Sequence, residues 1–481
     1  MNFAIVRYLI GWMLGIESIF LLLPALTAVI YGEAELPAYL IAAAISLAGA
    51  ALLCYRKPKN TRFYAREGYV TVALCWLILA VIGALPFVLS REIPFFIDAL
   101  FETVSGFTTT GATILSDVEA LSHASMLWRC LTHWVGGMGV LVFMLIVLPL
   151  AGGQTIFLMR AESPGPSVSK MSPHMRDTAT ILYAIYFGLT VLQMILLLIG
   201  GMPLFDAICV SLGTAGTGGF GNWNDSIAHY NSAYLQNVIT VFMILFGINF
   251  SAYFLILTRK FRQAFRIEEI RVYLGVIFVF AGLIAFNVRP MFSSLRESFH
   301  HALFQVASII TTTGFSTVDF DQWPTFSRAL LVLLMFIGAC AGSTGGGIKC
   351  SRILLLGKSV KKEMMCLIHP RLVRVNKMDG QRVPHEVMRS INVFVVAYAF
   401  IFILSLLIIS LNCEDLVTCF TSVATTLNNV GPGLSLCGPT CNFDFFPPLS
   451  KCVLIFDMLA GRLELFPMLL LFTPGTWQRN K

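Results

Sequence analysis

Long apolar stretches separated by short polar ones run through the whole chain. Because roughly 20 apolar residues span a bilayer, we predict ten membrane spans, at residues 3–30, 36–54, 69–90, 124–150, 179–200, 232–257, 272–287, 326–348, 390–412 and 450–473. Four shorter apolar segments lie between them, at 95–107, 203–214, 299–311 and 415–427. They are too short to cross and suit re-entrant helices, although each one alone could also be a surface amphipathic helix. The pattern predicts an all-α polytopic membrane protein.

A polar, glycine-containing loop follows each short segment. The four loops read TTTGAT (108–113), GTGGFG (216–221), TTTGFS (311–316) and NNVGPG (428–433). From residue 68 onward the order helix, short helix, loop, helix therefore occurs four times, and internal repeats of this kind define the architecture. We predict four fused helix–pore-helix–helix repeats around one pore, preceded by two N-terminal transmembrane helices. The predicted units are 1–67, 68–178, 179–271, 272–389 and 390–481.

The loops have the chemistry of an ion path. Non-helical backbone at membrane depth is tolerated where it lines a watery cavity or is buried in protein. Carbonyls that face a pore require alternating backbone signs, which glycine adopts at least cost, and threonine adds uncharged oxygens. The C-terminal end of each short helix also favours a cation. Four such loops around one axis would form a carbonyl ring, as in potassium-channel filters. The predicted filter positions are Thr109, Thr110, Gly111, Ala112, Thr217, Gly218, Gly219, Phe220, Thr312, Thr313, Gly314, Phe315, Asn429, Val430, Gly431 and Pro432.

Composition and charge support a membrane protein and predict its orientation. The chain is 57% hydrophobic and 12% charged, whereas a soluble domain carries about 25% charged residues. Most of the 33 Lys and Arg lie in loops on one predicted side, ten of them within 349–389. The positive-inside rule places these loops and both termini in the cytoplasm. The net charge of +7 thus reflects topology or a docking surface, and no folded basic domain indicates a nucleic-acid partner.

The sequence indicates neither catalytic nor metal-binding chemistry. The histidines and serines form no nucleophile–base set and there is no ATPase signature, so we do not expect an enzyme. The twelve cysteines show no metal-binding spacing. Cys437 and Cys441, in the predicted outer segment CGPTC, could be free thiols or form a disulfide.

Several motifs resemble the Trk/Ktr/HKT superfamily of cation transporters, in particular its TrkH/TrkG-type potassium uptake subunits. They are SGFTTTGAT (105–113), TAGTGGF (214–220), ITTTGFST (310–317), LNNVGPG (427–433), ESPGPS (162–167), GSTGGGIK (342–349) and GRLELFP (461–467). The resemblance implies potassium uptake across the bacterial inner membrane by channel-like permeation. It also implies a homodimer and a TrkA-type cytoplasmic ring that would carry the nucleotide. The implied K⁺ positions are Thr110, Gly111, Gly218, Gly219, Thr313, Gly314, Val430 and Gly431.

The loop sequences predict the ion selectivity, and the orientation of the repeats bears on the alternative mechanism. Three of the four filter glycines precede a bulky or rigid residue (Phe220, Phe315 and Pro432), so we expect few carbonyl layers, with passage of K⁺, Rb⁺ and some Na⁺. The alternative is a cation secondary transporter, a K⁺/H⁺ or K⁺/Na⁺ symporter. Such folds usually contain inverted repeats, whereas the four repeats here would be parallel.

A glycine-rich segment interrupts the eighth predicted span. It reads GACAGSTGGGIKC, residues 338–350. A phosphate-binding loop does not fit, because Ile348 separates Gly347 from Lys349. Close helix packing and an unwound gating loop remain, and the family resemblance favours the second. Arg462, in the last span, has no acidic residue at the spacing that pairs helical side chains, so it needs a partner elsewhere or faces water. The predicted gate residues are Gly342, Gly345, Gly346, Gly347, Lys349 and Arg462.

Overall fold

The computed structural model of the chain describes residues 1–58, 64–139, 175–371 and 375–478. The second half of the predicted span 124–150 and the ESPGPS motif at 162–167 lie outside these residues. The described part is mostly helical with almost no strand, and the prediction of an all-α polytopic membrane protein is confirmed. Six of its helices are long and apolar enough to cross a membrane.

The helices follow the predicted order. An N-terminal pair, α1 (Phe3–Tyr31) and α2 (Leu36–Cys54), packs closely where Gly11 lies against Cys54. The first repeat contains α3 (Ala65–Ser90), α4 (Phe96–Phe107) and α5 (His123–Gly137). The second contains α6 (Met175–Ile199), α7 (Leu204–Gly216), α8 (Ala233–Phe246) and α9 (Phe250–Leu257), followed by the single turn α10 (Phe261–Ala264).

The third and fourth repeats complete the chain. The third contains α11 (Glu268–Val288), α12 (Leu295–Ile310), α13 (Thr325–Phe336) and α14 (Cys350–Ile368). A small hairpin follows, with β1 (Lys377–Met378) antiparallel to β2 (Gln381–Arg382). The fourth contains α15 (His385–Ile409), α16 (Leu416–Leu427), α17 (Pro448–Arg462), α18 (Phe466–Leu471) and α19 (Pro474–Trp477).

Two predicted spans are not continuous helices. The span 232–257 bends by 93° between α8 and α9. Gly247 packs there against Tyr273, and the Asn249 side chain caps α9 by accepting the Ser251 N–H at 2.8 Å. The span 450–473 breaks after Arg462, where Glu464 and Leu465 adopt positive φ angles of 57° and 66°. Arg462 is therefore the last residue of α17 and is not in the middle of a helix.

The predicted interruption of the span 326–348 is confirmed. Helix α13 ends at Phe336, and the chain continues as a loop over 337–349 before α14 begins. Pairing of Ile337 with Ile348 closes the loop at its base, where the Gly338 N–H donates to the Ile348 carbonyl at 2.8 Å. We call residues 337–349 the gate loop, after the gating role predicted for its glycines.

Both chain ends lie on one side of the helix bundle. The Phe3 ring stacks on Trp477 with 6.5 Å between centroids, and Arg66, at the start of α3, donates to the Gln478 carbonyl at 3.3 Å. We call this the terminus side and the opposite one the mouth side. The short helices α4, α7, α12 and α16 start towards the mouth side and end inside the bundle.

Candidate functional site: a four-loop ring and the segments below it

The four short helices end in the same backbone geometry. In each, the residue before the filter glycine donates its N–H to the carbonyl five residues earlier, at 2.8–2.9 Å. The preceding residue adopts the left-handed conformation, with φ between 53° and 57°; these residues are Thr109, Thr217, Thr312 and Asn429. Together these features form the Schellman motif, which normally places glycine at that left-handed position. A β-branched residue there is strained, and such strain concentrates at functional sites.

The filter glycines return the chain to the left-handed region two residues later. Their φ angles are 80° at Gly111, 84° at Gly219, 83° at Gly314 and 99° at Gly431. The backbone thus alternates in sign through each loop, as the sequence predicts. Glycine is required because a Cβ at any of the four positions would be strained and would lie less than 3.0 Å from a neighbouring carbonyl oxygen.

Those carbonyl oxygens show that the loops form a closed ring. Each filter glycine lies against the residue before the filter glycine of the next repeat, and the fourth closes on the first. The pairs are Gly111 with Gly218, Gly219 with Thr313, Gly314 with Val430, and Gly431 with Thr110. The eight positions predicted for K⁺ are therefore brought together around one axis.

The residues after the glycines open into a cavity on the mouth side. This cavity has a volume of about 120 Å³ and is lined by all four filter glycines and by Pro432. Phe220 and Phe315 are buried, and Phe220 packs behind the first loop against His133, with 4.2 Å between the rings. Cys437 and Cys441 also line the mouth, and both are free thiols.

The gate loop lies directly below the ring on the terminus side. The Gly346 N–H donates at 2.6 Å to the hydroxyl of Thr312, the residue before the predicted K⁺ position Thr313. A Cβ at Gly346 would lie 2.7 Å from the Asn428 carbonyl oxygen, so the loop also touches the fourth repeat. The Lys349 ammonium folds back onto the carbonyls of Gly345 and Gly346. The structure thus places Gly345 and Gly346 against the third and fourth loops, whereas Gly347 packs against Gly338 at the base of the gate loop.

Arg462 joins three repeats at the same depth. Its guanidinium donates to the Thr344 carbonyl of the gate loop at 2.9 Å. It also donates to the carbonyls of Gly136 and Gly137, the last residues of α5, at 2.6 and 2.8 Å. The partner that the sequence could not identify is therefore backbone from the first and third repeats. Gly342, the remaining gate position, contacts Asn249 at the bend of the second repeat.

Comparisons with known proteins identify the family of the chain. The sequence model of the TrkH family, described as cation transport protein, matches residues 37–278 and 278–478. The chain belongs to the TrkH family. It is 38% identical to the Trk system potassium uptake protein TrkH of Escherichia coli K12 over 99% of this chain and 100% of that protein. It is 33% identical to TrkG of the same organism, covering 98% of both.

A solved TrkH-family structure has the same fold. The crystal structure of the potassium transporter TrkH from Vibrio parahaemolyticus superimposes with a TM-score of 0.90 at 32% identity, covering 99% of this chain and 100% of that one. The overall architecture inferred from the repeats is therefore that of a solved family member.

Sequence reasoning missed the groups that support the first loop of this TrkH-family chain. Glu102 and Arg129 form a buried ion pair at 2.8 Å, and Glu102 also accepts the Ile114 N–H at 3.1 Å. Because a buried charge needs a charged or hydrogen-bonding partner, two charges on neighbouring apolar helices could have suggested such a pair.

His133 supports the second loop from the first repeat. Its Nε2 accepts the Phe220 N–H at 3.2 Å, so Nδ1 carries the proton and donates to the Gly106 carbonyl at 2.7 Å. The ring is neutral in this arrangement, because a protonated imidazole has no acceptor nitrogen. One histidine thus joins the pore helix of the first repeat to the filter loop of the second, and no spacing rule in the sequence would have found it.

Proposed function

We propose that the chain takes up potassium across the bacterial inner membrane by channel-like permeation through the four-loop ring. The observation that carries the proposal is the cyclic contact between each filter glycine and the carbonyl of the next repeat. A single path through the centre of four parallel repeats suits permeation better than a K⁺/H⁺ or K⁺/Na⁺ symporter, which usually binds its substrate between inverted repeats.

In this mechanism backbone carbonyls replace the water around K⁺. The oxygens of Thr110, Gly218, Thr313 and Val430, with those of the adjacent glycines, form the ion sites, and the negative ends of the four short helices add to the attraction. We expect each loop to contribute few oxygens, because the bulky residues Phe220 and Phe315, which follow two of the glycines, are buried. Few layers give weak discrimination, so K⁺ and Rb⁺ pass well and Na⁺ passes measurably.

The gate loop and Arg462 control the path. The loop occupies the space below the ring, and the positive charges of Lys349 and Arg462 lie where a K⁺ ion would leave the filter. The loop obstructs by its bulk and the charges by repulsion. Withdrawal of the loop, with loss of the bond from Arg462 to the Thr344 carbonyl, opens the path.

The assembly follows the family resemblance. Two chains form a homodimer in which each holds its own pore, and both termini face the cytoplasm. A TrkA-type ring binds the nucleotide and docks on the basic terminus side. The functional units are 68–178, 179–271, 272–389 and 390–481, with 1–67 packed outside the pore.

Ion flux into liposomes that contain the purified chain tests the proposal. We expect K⁺ and Rb⁺ flux that a membrane voltage alone can drive, smaller Na⁺ flux, and a reduced K⁺/Na⁺ ratio in Gly314→Ser. Flux that requires a proton or sodium gradient would favour the symporter. An unchanged ratio in Gly314→Ser would contradict the filter assignment.

A further inference from the structure

A buried carboxylate binds both the gate loop and the helix that follows it. Glu269 lies in the first turn of α11 and is 3% exposed. Its Oε1 accepts the N–H of Ala341, within the loop, at 2.7 Å, and the N–H of Ser351, in the first turn of α14, at 3.0 Å. One oxygen atom thus holds the loop and the helix that follows it. A charged acceptor makes stronger hydrogen bonds than a neutral one, so this is a strong contact to a segment that lies under the filter.

Glu268, the residue before Glu269, connects α11 to the β1–β2 hairpin. The Glu268 N–H donates to the Asp379 carboxylate at the tip of the β1–β2 hairpin, at 2.7 Å. The Glu268 carboxylate pairs with Lys358, which also donates to the Lys377 carbonyl at 2.8 Å. The tip and the base of the hairpin are therefore both attached to the first turn of α11.

A cavity separates the hairpin from the gate loop. It has a volume of about 620 Å³, and its lining includes Ala341 and Ser351 on the loop side and Asp379 and Arg382 on the hairpin side. Glu269 lines the same cavity. The hairpin and the loop thus face each other across open space and are joined by the first turn of α11, through two adjacent glutamates.

We propose that Glu269 is a positioning residue that holds the gate loop under the filter, and that the Glu268–Glu269 turn transmits displacement of the β1–β2 hairpin to the loop. The inference rests on the proposed gate. It assigns the hairpin, on the face proposed to meet the cytoplasmic ring, as the part of the chain that a partner moves. Drawing the hairpin away tilts the first turn of α11, and the two bonds from Glu269, one to the gate loop and one to α14, are lost.

Two natural cysteines report the loop position independently of ion flux. Cys340 and Cys350 flank the glycines, and both are buried, at 0% and 1% exposure. The experiment uses the full chain in liposomes with these two cysteines retained and the other ten replaced by serine. The rate of maleimide labelling measures opening of the loop, and K⁺ flux is recorded on the same samples.

The variants separate hydrogen bonding from bulk structure. Glu269→Leu removes the acceptor of both bonds, and we expect labelling to rise by about tenfold or more, as local opening of a buried segment becomes easier. Glu269→Gln keeps an oxygen that accepts both N–H groups but loses the charge, so labelling should rise less than in Glu269→Leu. Glu363→Leu, at an exposed glutamate on α14, is the matched control and should have no effect.

The hairpin is tested by a double-mutant cycle. Lys358→Ala with Asp379→Ala should raise labelling by a smaller factor, and combining them with Glu269→Leu should give less than the product of the separate factors, because both act through one turn. If the combined variant raises labelling by the full product of the separate factors, the link to the hairpin is wrong. Parent-like labelling in Glu269→Leu, or equal increases in Glu269→Leu and Glu269→Gln, would overturn the positioning role. Increased labelling with unchanged K⁺ flux would support the positioning role and refute the gate.

Discussion

The four loops of the filter ring share one geometry, whereas the helix breaks beneath the ring differ from one repeat to the next. Four loops of different sequence share one Schellman ending, one pair of positive φ angles and one cyclic contact. Below them, the second helices of the repeats are interrupted in different ways. The second repeat bends at 247–249, the third contains the gate loop at 337–349, and the fourth breaks at 463–465. A ring of carbonyls demands four equal contributions, whereas a gate needs one movable segment. In the proposed mechanism, the difference therefore separates selection from control.

The prediction with the largest expected effect tests whether the loops contribute equally to the ring. Gly111→Ser, Gly219→Ser and Gly431→Ser should each lower the K⁺/Na⁺ flux ratio by about tenfold, corresponding to about 1.4 kcal/mol. The reason is common to all three, since each side chain would meet a carbonyl of the next repeat. Liposome flux with both ions gives the ratio.

The control for these variants is Gly282→Ser, in α11. An added Cβ there meets nothing within 4 Å, so the flux ratio should not change. If one of the three filter variants keeps the parent ratio, that loop does not contribute equally and the comparison fails at that repeat.

The second prediction concerns the helix breaks below the ring, which differ between the repeats. Arg462→Ala should raise resting K⁺ flux by about tenfold without changing the K⁺/Na⁺ ratio, because it removes charge-assisted bonds worth about 1.5–3 kcal/mol each and a positive charge from the path. Deletion of Gly345–Gly347 should act in the same direction. Arg289→Ala, at an exposed mouth-side arginine, serves as the control. Folded variants that conduct no faster than the parent would place the gate elsewhere.

The four similar loops were easier to predict from the sequence than the helix breaks, which differ between the repeats. Repeated loops such as TTTGAT and TTTGFS revealed four short helices, and their observed bounds agree with the prediction within a few residues. The breaks at 247–249 and 463–465 were missed because hydropathy does not detect a bend inside an apolar run. Only the gate loop, with its cluster of glycines, carried a local signal.

Long-range contacts were the other limit of the sequence. Glu102 and Arg129 are 27 residues apart, and Arg462 bonds to carbonyls more than a hundred residues away. Backbone acceptors leave no trace in side-chain composition, so the partners of Arg462 and Glu269 could not be read from spacing. The strained left-handed threonines were included among the filter positions, but their conformation became clear only from the backbone.

The smallest expected effect concerns docking on the terminus side. Ten basic residues in 349–389 predict a surface for an acidic or nucleotide-bearing partner, and Lys358, Lys361 and Lys362 on α14 are the obvious candidates. The structure distinguishes these lysines, since Lys358 is bound to Glu268 and the hairpin, whereas Lys361 is exposed.

Exposed ion pairs contribute about 0.2–1 kcal/mol each, so Lys361→Ala with Lys362→Ala should weaken association with a TrkA-type ring by about threefold. Resting flux and K⁺/Na⁺ ratio should not change, and the loss should shrink at high salt, where exposed charges are screened. A pull-down at two salt concentrations measures this, with Lys57→Ala, on a different loop, as the control. Parent-like binding of the double variant would mean that the basic charge of α14 serves topology alone.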